Sequence, residues 1–170
     1  MANIILWYYY YGMSQKYVVG HFIDLPSEQF NFSCKNWPLH ITLLPNFTIN
    51  DELDQVINKL EVLSSKIKPF IVQVGNDEHF GLKGEVLVSL IKPNASIINL
   101  HERLVGLTQD YKFDTPQYIN AGYRPHATKK PNCQLNKNEI YEVNSMTLVD
   151  MYPKNNINRR AIIKNFMFGA

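Results

Sequence analysis

At 170 residues, 45% hydrophobic and 19% charged, the chain can bury most of its apolar surface in one fold and lies outside the disordered class. Its two cysteines, Cys34 and Cys133, show no Cys-x-x-Cys pattern, which excludes a disulfide scaffold and predicts free thiols in a reducing cytoplasm. A formal net charge of +2 excludes a long nucleic-acid duplex gripped through many phosphates, and leaves room for a nucleotide or a short single strand.

The charge is uneven. Residues 112 to 170 carry nine cations against four acids, so the later part of the chain is the basic one and the better suited to phosphate. Residues 1–12 are apolar and aromatic, with four tyrosines in a row from Tyr8, and are expected to be an N-terminal extension to a single domain over 13–170. They lack a basic leader and are too short to span a bilayer. No other stretch reaches transmembrane length, so a soluble, cytoplasmic, monomeric protein without a membrane partner is expected.

In chain order, Tyr17 to Leu25 is β-branched and aromatic and ends at Pro26, which predicts a strand. Ser27 to Trp37 has no period and reads as a loop or a short helix. In Pro38-Leu39-His40-Ile41-Thr42, residues two apart on a strand share a face, so His40 and Thr42 are presented together while Ile41 and Leu43 enter a core. Asn50 to Lys68 turns helical, with Asn50 as N-cap, Lys66 and Lys68 in the last turn, and Pro69 as the stop. Phe70 to Val74 and Glu85 to Ile91 read as a hairpin, with His79 exposed in its loop. A second helix is predicted from Ala95 to Tyr111, capped by Asn94, with His101 beside its buried stripe. Phe113 to Ala121 is a loop leading to a second triplet, His126-Ala127-Thr128. Strands Val143 to Tyr152 and Ala161 to Phe168 close the chain. Of the five histidines only His40 and His126 have Thr two residues on. The order describes two α+β halves, each with one triplet.

Two imidazoles and two hydroxyls in one cleft can break a phosphoester without a metal. One ring takes a proton from the attacking oxygen, the other gives one to the leaving oxygen, and the hydroxyls donate to the phosphate oxygens. By strand parity Arg124 shares the face of His126 and Thr128 and is the candidate phosphate cation, whereas Lys129 faces away. Phe47, Tyr123 and Tyr152 lie beside the motifs and are candidate platforms for a base. A metal site built on the histidines with Cys34 or Cys133 lacks ligand spacing, and neither cysteine has the context of a nucleophile.

The residues Leu39-His40-Ile41-Thr42-Leu43 and Tyr123-Arg124-Pro125-His126-Ala127-Thr128, whose histidines stand 86 positions apart, resemble the paired motifs of the two-histidine (2H) phosphoesterases. The likeness is to the branch of RNA 2',3'-cyclic phosphodiesterases and 2',5'-RNA-ligase-like (LigT-like) proteins. That resemblance implies a two-lobed, pseudo-symmetric α+β fold with antiparallel sheets facing a central cleft and helices outside. It also implies cofactor-free and metal-free phosphodiester hydrolysis of RNA or nucleotide 2',3'-cyclic phosphates or 2'-5' linkages. His40 and His126 would be the acid-base pair, with Thr42 and Thr128 holding the phosphate. Two alternatives stand beside this reading: hydrolysis of 2'-5' or cyclic oligonucleotide signals, and a module that binds a phosphorylated nucleotide without turning it over.

Overall fold

The computed structural model describes residues 15–49, 52–131 and 133–169. The predicted extension at 1–12 and the predicted cap Asn50 lie outside them. In chain order the elements are β1 (Lys16–Phe22), β2 (Asn31–Ser33), β3 (His40–Thr48), α1 (Leu53–Ser64), β4 (Phe70–Phe80), β5 (Val86–Ile91) and α2 (Ala95–Leu107). There follow β6 (Lys112–Phe113), β7 (His126–Thr128), β8 (Ile140–Val143), β9 (Ser145–Asp150) and β10 (Arg159–Met167). They form a six-stranded sheet in the order β2-β10-β9-β1-β3-β6 and a four-stranded sheet in the order β7-β5-β4-β8, with antiparallel pairing throughout. This is the α+β, two-sheet arrangement that the resemblance of the two motifs implies.

Alternation along β1 explains how the large sheet is covered on both faces. Tyr17 and Val19 join the main core, which also takes Val56 and Leu60 of α1 and Ile97 and Leu104 of α2. Val18 and Phe22 point the other way into a second cluster with Val149 and Ile162, against which Trp37 packs. The main core also holds Val72, Val74 and Ile91 of the small sheet, so one apolar mass ties the sheets together. Leu60, Ile97 and Leu104 are each 0% exposed. Truncating any of them to Ala costs about 2–5 kcal/mol by the general cost of a core cavity.

Several boundaries depart from the periodic reading. Helix α1 stops at Ser64 rather than Lys68, so Lys66 and Lys68 lie beyond it. The Ser64 and Ser65 hydroxyls donate to the Glu61 and Val62 carbonyls, and Lys66 N–H and Ile67 N–H bond three residues back, which tightens the chain out of the α-helix before Pro69. Helix α2 begins as expected, with the Asn94 side chain accepting from Ile97 N–H at 3.0 Å, but it ends at Leu107. There Thr108 Oγ1 donates to the Leu104 carbonyl at 2.8 Å. The supposed loop before the triplet holds β6 and two single turns of 3-10 helix at 116–118 and 120–122, and the stretch before β3 holds the edge strand β2.

Strand β4 runs on through Gly75 to Phe80, so His79 is exposed on a strand and not in a loop. The expected single strand from Val143 is two strands. β8 pairs with β4 in the small sheet and β9 with β1 and β10 in the large one, with Asn144 alone between them. Local β propensity is continuous across that junction. What divides it is the choice of partner, a tertiary property.

Candidate active site

His40 is the first residue of β3 and His126 the first of β7. β7 is an edge strand, and β3 is paired by β6 only at Phe47 and Thr48, so its opening half is also an open edge. The two edges pack against one another. In each triplet the middle residue enters the core, Ile41 at 0% and Ala127 at 1% exposure, while the His and Thr on either side are half-buried on the opposite face.

The local chemistry of the two histidines is the same. His40 Nδ1 lies 2.8 Å from the Pro38 carbonyl oxygen, and His126 Nδ1 lies 2.7 Å from that of Arg124. A carbonyl only accepts, so Nδ1 carries the hydrogen in each neutral ring and Nε2 keeps its lone pair. Each ring is thus oriented by the backbone two residues before it. Trp37 packs at 4.7 Å and Phe22 at 5.4 Å from His40, while Phe80 meets His126 edge-on at 4.7 Å.

Burial pushes His40 down to about 4, partly offset by the Pro38 bond and reinforced by the positive charges of Lys130 and of His126. His126 is also lowered by burial, with a further push from Arg124 against the pull of its backbone bond. The charge of His126 thus reaches His40, and burial favours the neutral form of both rings.

Tyr123 lies where the strands meet. Its hydroxyl donates to the Thr42 carbonyl at 2.9 Å, and its ring stacks on His101 at 3.8 Å. His101, fully buried, donates from Nδ1 to the Leu43 carbonyl at 2.8 Å and accepts the Asn120 N–H on Nε2 at 2.9 Å. Tyr123 is thus built into the frame of the site.

The other sequence candidates separate. Phe47 is corrected: it is 0% exposed and stacks on Tyr111 in the main core, where no base can reach it. It shares odd parity with Ile41 and Leu43, and the register shifts in the β1–β3 pairing return it to the core face. Tyr152 packs on the second cluster between Lys16 and Arg160, whose charges lie 5.9 and 5.7 Å from its ring, and it lines neither cavity that meets at His40. Arg124 is committed to Glu78 through two bonds of 2.9 and 2.6 Å and covers the Phe80 ring at 4.9 Å. Lys129 pairs with Asp77 at 2.6 Å.

Two residues of the site were not singled out from the sequence. Lys130 extends the series 126, 128, 130 on one face, so the parity that selected Arg124 also marked it. Its Nζ crosses from the end of β7 to donate to the Trp37 carbonyl at 2.8 Å. Trp37 stands three residues before His40 in a segment without a period, and no sequence signal distinguished it. Both line a cavity of about 330 Å³ with His40 and Thr128, and a second of about 240 Å³ continues past Trp37, His40 and Thr42. Among the described residues, no three His, Cys, Asp or Glu side chains converge to hold a metal, and no helix is long and apolar enough to cross a membrane.

The model of the 2'-5' RNA ligase superfamily matches residues 27–130, which is more than half of the chain and includes both triplets. The chain belongs to that superfamily, a group of two-histidine phosphoesterases. Membership supports a phosphoesterase-like or ligase-like activity. Among solved structures it is similar to TT0787 of Thermus thermophilus, at 16% identity and a TM-score of 0.59 over 90% of this chain and 97% of that one. A structure described as a phosphoesterase matches at 16% identity and a TM-score of 0.59, covering 93% of this chain and all of its own. E. coli LigT complexed with NADP+ matches at 14% identity and a TM-score of 0.55, over 92% of this chain and 99% of that one. These likenesses show the fold. No curated protein sequence matches the chain at a significant level.

Proposed function

We propose that the chain is a metal-independent phosphodiesterase acting on the 2',3'-cyclic phosphate of a nucleotide or RNA end, or on a 2'-5' linkage. The observation that carries this reading is the matched pair of histidines, each with Nδ1 held by the carbonyl two residues back and Nε2 left for proton transfer, on two facing sheet edges. A binding module needs cations and donors. It does not need two rings prepared in the same tautomer. That E. coli LigT has been seen with 3'-AMP and with ATP agrees with a small nucleotide as the ligand.

In the proposed reaction His40, the more strongly neutral ring, is the base and His126 the acid. His40 Nε2 takes a proton from water as the water oxygen bonds to phosphorus. The phosphorus–oxygen bond to one ribose oxygen breaks, and that oxygen receives the Nε2 proton of His126, which enters the reaction as the imidazolium and leaves it neutral with its hydrogen on Nδ1, giving a phosphomonoester beside a free hydroxyl. Thr42 and Thr128 donate to the non-bridging oxygens, where negative charge is greatest. Positioned acid-base groups typically supply about 10²- to 10⁴-fold in rate. His40→Ala and His126→Ala should therefore each lower kcat/KM by about that factor while the melting transition is retained. The measurement is hydrolysis of 2',3'-cyclic AMP in EDTA; turnover that appears only on adding Zn²⁺ would overturn the metal-free mechanism.

A further inference from the structure

The cavity beside His40 and Thr128 carries more positive charge than one phosphodiester needs. Lys35 and Lys130 both line it, and no Asp or Glu does. The cations nearest in sequence behave differently, since Arg124 is neutralised by Glu78 and Lys129 by Asp77. Among the described residues neither Lys35 nor Lys130 forms an ion pair. The bond from Lys130 to the Trp37 carbonyl uses one of three ammonium protons, leaving two for an anion.

Trp37 itself is a wall and not an open platform. Phe22 stacks parallel to it at 6.4 Å, Phe32 meets it edge-on at 5.1 Å, and the Arg160 guanidinium lies 6.0 Å from its centroid. The selective feature of the cavity is therefore its charge. At about 330 Å³ it lies at the small end of ligand sites, which run from about 300 to 1,000 Å³. Because His40 and Thr128 line the cavity and also belong to the proposed reacting site, an anion held here is adjacent to the phosphate being cleaved.

We infer that this cavity is a second phosphate subsite, in which Lys35 and Lys130 hold the neighbouring internucleotide phosphate of the substrate. The preferred substrate is then an oligonucleotide end carrying the reactive phosphate, and a mononucleotide leaves the subsite unfilled. This inference rests on the phosphodiesterase reading and specifies which phosphodiesters are selected.

The test uses two dinucleotides ending in a 2',3'-cyclic phosphate, one with a normal internucleotide phosphate and one with an uncharged methylphosphonate in its place. Bases and reacting group are the same, so any difference reports the charge of the linkage. The charged dinucleotide should show at least about tenfold higher kcat/KM, equivalent to about 1.4 kcal/mol. In Lys35→Gln/Lys130→Gln the difference should fall to about threefold or less, while Lys66→Gln, an exposed lysine beyond α1, keeps it. Equal kcat/KM for the two dinucleotides, a difference that survives the double substitution, or an equal loss in Lys66→Gln would overturn the subsite. If Lys130→Gln fails to fold, Lys35→Gln alone must reduce the difference at least twofold.

Binding of the same pair to His40→Ala separates the two readings. A tenfold affinity difference with no wild-type turnover sinks the catalytic reading alone. Turnover by the wild type with no such difference sinks the subsite alone.

Discussion

At the scale of single residues, the site turns on proton placement. With His40 pushed down to about 4 it is neutral at neutral pH, and as the proposed base it should gain activity as pH rises through that value. His126, lowered from its ordinary 6.5, is the acid of the proposed reaction, so activity should fall as pH rises through its own value. The bell in kcat/KM, which reports the free enzyme, should therefore have its optimum below pH 6.5. The bell in kcat should lie higher, because a bound phosphate favours the protonated rings. A kcat/KM optimum above pH 7 would contradict the assignment of roles. The threonines test the charge-stabilising step: Thr42→Val and Thr128→Val should lower kcat by about 10²-fold, the usual order for a lost oxyanion donor, with Ser restoring most of it.

The triplets were legible in the sequence because a strand has a period of two, and a shared face needs nothing more. The same rule, carried two positions further, covers Lys130 and sets Phe47 on the face of Ile41 and Leu43, but the sequence reading did not single out Lys130 and took Phe47 for a platform. What it could not supply was the charge balance around each cation. Arg124 had the right parity, but Glu78 lies 46 positions away in the chain and only the β4–β5–β7 arrangement brings it to Arg124.

At the scale of elements, α2 positions the second triplet against the first. His101 holds β3 through the Leu43 carbonyl and the approach to β7 through Asn120 N–H, and it supports the ring whose hydroxyl reaches Thr42. Tyr123→Phe removes one neutral hydrogen bond, worth about 1 kcal/mol of stability. Its effect on kcat should exceed its effect on KM, because alignment of the reacting groups is what changes. Equal loss in both would make Tyr123 a ligand contact instead. Asn94→Ala, which removes the cap of α2, should cost about 1 kcal/mol in urea unfolding.

Both helices and their apolar stripes could be read from periodicity, but their last turns could not. Ser64, Ser65 and Thr108 divert their hydroxyls to backbone carbonyls, a competition that a hydrophobic pattern does not register. His101 illustrates the same limit. The helix stripe reads it as a helix-surface or packing histidine, and its two polar partners, the Leu43 carbonyl and Asn120 N–H, are visible only with the fold.

At the scale of the whole molecule, buried neutral histidines make stability depend on pH. Burial lowers both His21, bonded to the Ser145 carbonyl at 3.0 Å, and His101 below 6.5. Below about pH 6.5 the unfolded chain binds protons that the folded chain refuses. Their contribution is therefore complete above that pH and declines as pH falls toward the folded values. The slope is up to about 1.4 kcal/mol per pH unit for each histidine. Urea midpoints should drop between pH 7.5 and 5.5, and a flat response would contradict the buried neutral state.

The direct crossing from β8 to β9 has a mechanical consequence. Asn144 is the junction, and β7 lies three strands from β8, a lever arm of roughly 14 Å at ordinary strand spacing. A rotation of about 5° at that junction would sweep His126 by roughly 1.2 Å, comparable to the ~1 Å misplacement that costs about 10²-fold in rate. The junction is accordingly clamped: Val143 and Ser145 are 0% and 1% exposed, and Phe168 N–H donates to the Asn144 carbonyl at 2.8 Å. Alignment of the two rings thus depends also on the far edge of the small sheet, where a loosened pivot should lower the proposed activity before it lowers stability.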